Sequence, residues 1–178
     1  LRLHQPSTGR VELDEQGVGP LVLTGRDVAT GEAATLRLAA EPASPLPQLR
    51  PGDLVVPQLA AGEGQPRPQV ITERGLLLGP NLVLLRVDAQ RLDVDYLAGQ
   101  LAAGRAARAS GSTVSGVHRL DIRRVEVVVL DLAAQRAVGE RFRGLRQLRA
   151  RLNEVSGLGE QLCARLAEGL ATGMITQE

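Results

Sequence analysis

The last quarter of the chain carries its clearest hydrophobic rhythm. From Ala133 to Leu170 there is no proline, and apolar residues fall at Val138, Phe142, Leu145, Leu148, Leu152, Val155, Leu158, Leu162, Leu166 and Leu170. Each step is three or four residues, the repeat of one face of an α-helix. The spacing predicts an amphipathic helix over 133–170, or a helical hairpin if Ser156, Gly157 and Gly159 interrupt it. Unbroken, it spans roughly 57 Å. The residues before it are too few to cover that length, so part of the leucine stripe needs a second helix against it.

The first 130 residues have a shorter rhythm. Arg10–Leu13 reads as a weak strand closed by Gly17 and Gly19-Pro20, Leu21–Thr24 as a better one, and Thr30-Gly31 as a turn. Ala34–Leu38 alternates again. Residues 42–51 hold Pro42, Pro45, Pro47 and Pro51, which cannot all sit in a ladder, so this stretch is loop. Pro51-Gly52 then turns the chain into a buried strand beginning at Leu54–Val56. Residues 61–68 form an exposed Gly/Pro-rich loop. Val70–Thr72 and Leu76–Leu78 are short strands, and Leu82–Val87 is the strongest of this half. Val94–Ala107 reads as a helix with Asp93 as N-cap and Tyr96, Leu97 and Leu101 on one side. Val125–Leu130 reads as a last apolar strand. The expected fold class is α+β: a β-rich globular domain over 1–132, then a helical spacer or dimerisation segment over 133–178.

Composition narrows the function. Apolar residues are 43% of the 178, charged residues 23%, and the net charge is +1, a globular balance. No run of about 18 apolar residues marks a membrane span. The single cysteine, Cys163, excludes a disulfide framework or cysteine-rich zinc site within the chain, and is expected to pack as a small apolar group. The chain begins at Leu1 without a methionine or a basic-then-apolar leader. That fits a cytoplasmic protein and a piece cut from a longer one.

All 21 basic residues are arginine, which a GC-rich genome accounts for. Whatever the cause, every cation is a planar fork able to grip phosphate or a guanine edge in bidentate fashion. The only aromatics are Tyr96 and Phe142, which argues against modules that stack single-stranded bases. Residues 1–100 hold 9 arginines and 12 acids, whereas residues 101–178 hold 12 and 8. Six arginines fall within 136–151 (Arg136, Arg141, Arg143, Arg146, Arg149 and Arg151). They read first as a solvated helix face and second as a polyanion contact.

No catalytic signature is present. There is no phosphate loop ending in Gly-Lys, no dinucleotide fingerprint and no paired carboxylates. His4 and His118 cannot form a helical metal pair, and the serines of 110–115 lack a strand–elbow–helix setting. His118 as a general base is outweighed by its reading as an ordinary polar residue. An enzyme with a diffuse active site is therefore the weakest reading. What stands out is a recognition surface. Ala109–Gly116 is a Ser/Thr/Gly loop flanked by Arg105, Arg108, His118 and Arg119. Ser110, Ser112 and Thr113 supply hydroxyls for phosphate, and arginines can read guanine in a major groove. Arg67 and Arg74 stand in the other exposed loop region, near 62–74. A loop of this kind taken alone is also common as plain solvated surface.

The order of several segments resembles the target-recognition domain of type I restriction-modification specificity subunits. It also resembles the similar domain ending some N6-adenine DNA methyltransferases. The resemblance rests on Gly19–Val28; on Leu49-Arg50-Pro51-Gly52-Asp53-Leu54-Val55; on Gly79–Arg86 followed by Asp95-Tyr96-Leu97; on Gly111-Ser112 through Leu120-Asp121-Ile122; on Val127–Leu132 followed by Ala134–Val138; and on Gly169–Ile175. Leu130-Asp131 replaces the family's Pro-Pro. The resemblance implies a β-rich head that reads one half of a double-stranded DNA target in a bacterial system, joined to a helix that docks on a partner helix as a coiled-coil spacer. Phe142, Leu145, Leu148, Leu152 and Val155 are the expected partner-helix residues. The Asn/Asp-Pro-Pro-aromatic methyl-transfer motif is absent, as is a glycine-rich cofactor motif. The fragment is thus expected not to catalyse alone. S-adenosylmethionine is expected to belong to a methyltransferase domain or subunit partnered with it, with helix–helix pairing or a homodimer as its assembly. The rival reading is an assembly module whose working part is the helix.

Overall fold

The structure, a computed structural model, describes residues 1–4, 11–61, 67–105, 110–111 and 117–172, with backbone alone at 59–61, 104–105, 110–111 and 117–120. It divides into two compact units, Leu1–Phe142 and Arg143–Glu178. The first eleven residues of the long helix belong to the first unit, so the compact body extends past the boundary expected at 132.

In chain order the elements are β1 (Arg2–His4), β2 (Leu13–Asp14), β3 (Leu21–Leu23), α1 (Gly25–Thr30), β4 (Arg37–Leu38), β5 (Leu54–Pro57), β6 (Leu59–Ala61), β7 (Gln69–Val70), β8 (Leu76–Leu78), β9 (Leu82–Arg86), α2 (Val94–Gln100), a π-helical turn (Leu101–Arg105), β10 (Ser110–Gly111), β11 (Val117–Leu120), a 3-10 turn (Ile122–Arg124) and α3 (Leu132–Ala171). They form an α+β arrangement of three sheets, ordered β1-β9-β5-β7, β2-β4-β3-β8 and β10-β11-β6. Every strand pair is antiparallel except β3 with β8, which is parallel.

The sheet β1-β9-β5-β7 separates two cores. Side chains alternate across a strand, so an unbroken apolar run has to be buried on both faces. Val55, Leu82 and Leu84 join Leu23, Val28, Leu49, Ile71, Leu76 and Leu78 on one face. Leu54, Val56, Val83 and Leu85 join Leu97, Ala98 and Leu101 on the other. β5 and β9, at the sheet's centre, are paired from Leu54↔Leu85 through Pro57↔Leu82. Both were expected as strands, β5 as a buried one. The turn before β5 needs Gly52 at φ 88°, a left-handed conformation glycine adopts without a Cβ penalty.

Two elements depart from expectation, and a third decides between two expected alternatives. Residues 25–30 form a helix because Thr24 and Asp27 make a capping box: the Thr24 amide donates to Asp27 Oδ2 (2.8 Å), and Asp27 N–H donates back to Thr24 Oγ1 (3.4 Å). Val125–Leu130 pairs with no strand among the described residues. Two of its carbonyls accept from side chains: Tyr96 Oη donates to Val128 O (2.8 Å), and Gln135 Nε2 donates to Leu130 O (2.8 Å). Finally, α3 runs unbroken through Ser156, Gly157 and Gly159, so the hairpin alternative is replaced by one continuous helix.

The start of α3 docks on α2 through small and polar groups. Gln135 is 1% exposed. Its Oε1 accepts from Asp93 N–H (3.0 Å), while Asp93 Oδ1 caps α2 by accepting from Tyr96 N–H (2.8 Å). A Cβ at Gly139 would strike Asp93 Oδ1 and approach Tyr96 N to 2.9 Å. A Cβ at Gly99 would collide with the Phe142 ring. The helices therefore meet where glycine leaves room for the N-cap on one side and for the aromatic ring on the other.

Candidate nucleic-acid interface

The two arginine-bearing segments singled out in the sequence are joined by backbone hydrogen bonding. β6 ends at Ala61, and the chain is next described at Arg67. β11 closes the 104–119 segment. The two strands pair antiparallel at Leu59↔Arg119, Ala60↔His118 and Ala61↔Val117. β10 pairs with β11 on its other side, at Ser110↔Leu120 and Gly111↔Arg119. One small sheet thus gathers Ser110, His118 and Arg119. It is also the base from which the chain departs toward Arg67.

Positions of the individual residues are as follows. Arg67 is exposed, and its Nη1 donates to the carbonyl of Ala29 in α1 (3.0 Å). That bond ties Arg67 to the body and supplies a cation near a helix C-terminus, where charge of that sign is favoured. Arg74 is exposed in the bend between β7 and β8, beside Gly75 at φ 87°. Arg105 ends the π-helical turn that continues α2. Ser110 lies in β10, and His118 and Arg119 in β11. Arg108, Ser112 and Thr113 lie outside the described residues. Of the expected partner-helix residues, Phe142 sits against Gly99 within the first unit, half-buried. Leu145, Leu148, Leu152 and Val155 are exposed in the second unit.

The body under these segments is held by buried polar groups. Asp53 is 4% exposed and receives a forked contact from Arg86: Nε to Oδ1 at 3.0 Å and Nη2 to Oδ2 at 3.1 Å. The Arg50 amide donates to the same carboxylate (2.9 Å), and Arg86 Nη2 also reaches Gln48 O (2.6 Å). Asp27, Asp53, Tyr96 and Gln135, all within the segments that carried the resemblance, are therefore spent on holding the scaffold. Among the described residues no group of three or more His, Cys, Asp or Glu could hold a metal, and no helix is long and apolar enough to cross a membrane.

No protein-family profile matches the chain, and no curated protein matches it. Solved structures do. The S subunit of a type I restriction-modification system from M. genitalium superposes with a TM-score of 0.57 over 95% of this chain, at 13% identity. The chain has the fold of a type I S subunit. A second structure, which describes complex assembly and conformational transition of the type I R-M system, superposes with a TM-score of 0.51 over 92% of the chain at 18% identity. This chain spans 42% of the first protein and 39% of the second, about two fifths of each.

Proposed function

We propose that this chain is a duplex-DNA recognition module of a type I restriction-modification system. The observation that carries the reading is the β6–β11 pairing, which joins the strand preceding Arg67 to the strand holding His118 and Arg119, on a body with the S-subunit fold. Arg67, Arg74, Arg105, Arg108 and Arg119 supply phosphate contacts and guanine readout. Ser110, Ser112 and Thr113 add hydroxyl contacts to phosphate, and His118 a further polar contact. Methyl transfer, to the N6 of adenine with S-adenosylmethionine as donor, belongs to a methyltransferase partner and not to this chain.

Fluorescence anisotropy of a labelled duplex against salt tests the reading. With about four phosphate contacts, affinity falls about 100-fold over a fourfold rise in salt. Arg74→Ala and Arg119→Ala each flatten the salt slope by about one unit. Binding that ignores salt, or an unchanged slope in both variants, overturns the proposal.

A further inference from the structure

The second unit opens with a block of one charge. From Arg143 to Asn153 there are four arginines and no acid, whereas from Glu154 to Ala171 there are three acids and one arginine. A helix face that meets only water mixes the two signs at spacings of three and four. Here Arg143, Arg146 and Arg149 repeat every three residues, which sets like charges side by side and weakens the helix. The helix gains from this block only when an anion answers it.

The block has its own side of α3. Arg143, Arg149 and Arg151 are exposed and Arg146 is half-buried. At about 100° per residue, Arg143, Arg146 and Gln147 each point about 100° or more away from Leu145, Leu148 and Leu152. Arg149 and Arg151 flank those leucines on either side, and long arginine stems let a guanidinium lean toward the polar side. A partner on the leucine face therefore leaves the block in water.

The spacing favours one kind of anion. Arg143 to Arg151 covers about 12 Å of helix axis and holds four charges. One strand of a duplex places a phosphate about every 3.4 Å along its axis, and so nearly the same number in that length. A protein surface with carboxylates at that density and no cation among them would repel itself. Each guanidinium is a planar fork that takes a phosphate through two N–H bonds.

We propose that Arg143, Arg146, Arg149 and Arg151 grip the phosphate backbone of duplex DNA, which makes α3 a second, sequence-independent DNA contact. The proposal rests on the DNA reading above and extends it: the first unit reads bases, and this block holds backbone.

Photo-cross-linking of the full chain tests the contact, and salt titration tests its charge. In a Cys163→Ser background, Gln147→Cys and Leu152→Cys each carry an aryl azide, and the probe is a duplex of about 40 base pairs, roughly 136 Å long. Position 147, on the arginine side, should give the DNA adduct, and position 152 far less. Arg143→Gln, Arg146→Gln, Arg149→Gln and Arg151→Gln combined should flatten the salt slope by about three to four units, with far-ultraviolet helicity unchanged. The same charge removed at exposed Arg26, Arg50, Arg91 and Arg165 should leave the slope nearly as it was. Equal adducts from 147 and 152, an unchanged slope in the fourfold variant, or an equal effect from the control variant overturns the proposal. If Arg119→Ala still flattens the slope in that case, the DNA reading stands without it, and the block meets an acidic protein instead. Binding that ignores salt altogether removes both.

Discussion

Gln135 is a polar side chain where an apolar one would be simpler to bury. Its amide serves two segments at once, accepting from Asp93 N–H and donating to Leu130 O. Replacing it by leucine fills the volume but strands one donor and one acceptor, each costing about 1–3 kcal/mol when buried. Gln135→Leu should therefore lower stability by about 2–4 kcal/mol in urea unfolding, and Gln135→Glu should not restore it. Asp53→Ala removes the acceptor of both Arg86 and the Arg50 amide. The expected loss is about 3 kcal/mol, since the arginine left behind is only partly solvated. Of these groups, the Asp93 cap was legible because its partner lies three residues away. The Gln135 contact was not, because its partner lies 42 residues away and no local pattern encodes it.

Among elements, legibility followed burial on both faces. Leu54–Val56 and Leu82–Leu85 are apolar without interruption and became central strands. Val125–Leu130 looks much the same in sequence, yet Val129 is 81% exposed and the segment joins no ladder among the described residues. Two of its carbonyls are claimed by the side chains of Tyr96 and Gln135, which local sequence does not reveal. α1 was missed for the opposite reason. Its six residues are too short to show a period, and only Thr24 with Asp27 marked it. In α3, Gly144 and Gly157 have open space where a Cβ would stand. Gly157→Ala should stabilise the helix by about 1 kcal/mol, visible as higher far-ultraviolet helicity and a later thermal transition. Gly139→Ala and Gly99→Ala should do the reverse, since each forces apart the α2–α3 junction.

For the whole molecule, the first unit is a two-core body and the second a helix with its apolar face open. The sequence showed which segments hold arginine and hydroxyl groups, but not that 59–61 and 117–119 are hydrogen-bonded neighbours. That pairing is non-local, and it makes two separate segments of the chain one candidate surface. Substituting Arg105 and Arg119 together by alanine should weaken duplex binding across all sequences tested while leaving the thermal transition unchanged. The chain contains no tryptophan and one tyrosine. Tyr96 is 1% exposed, and its hydroxyl is bonded to the strap that leads into α3. Nearly all ultraviolet emission from the protein therefore comes from one point within the first unit, where α2 meets the strap before α3. Nature has left a single lamp there, and its intensity and lifetime give a label-free record of whether that contact is shut.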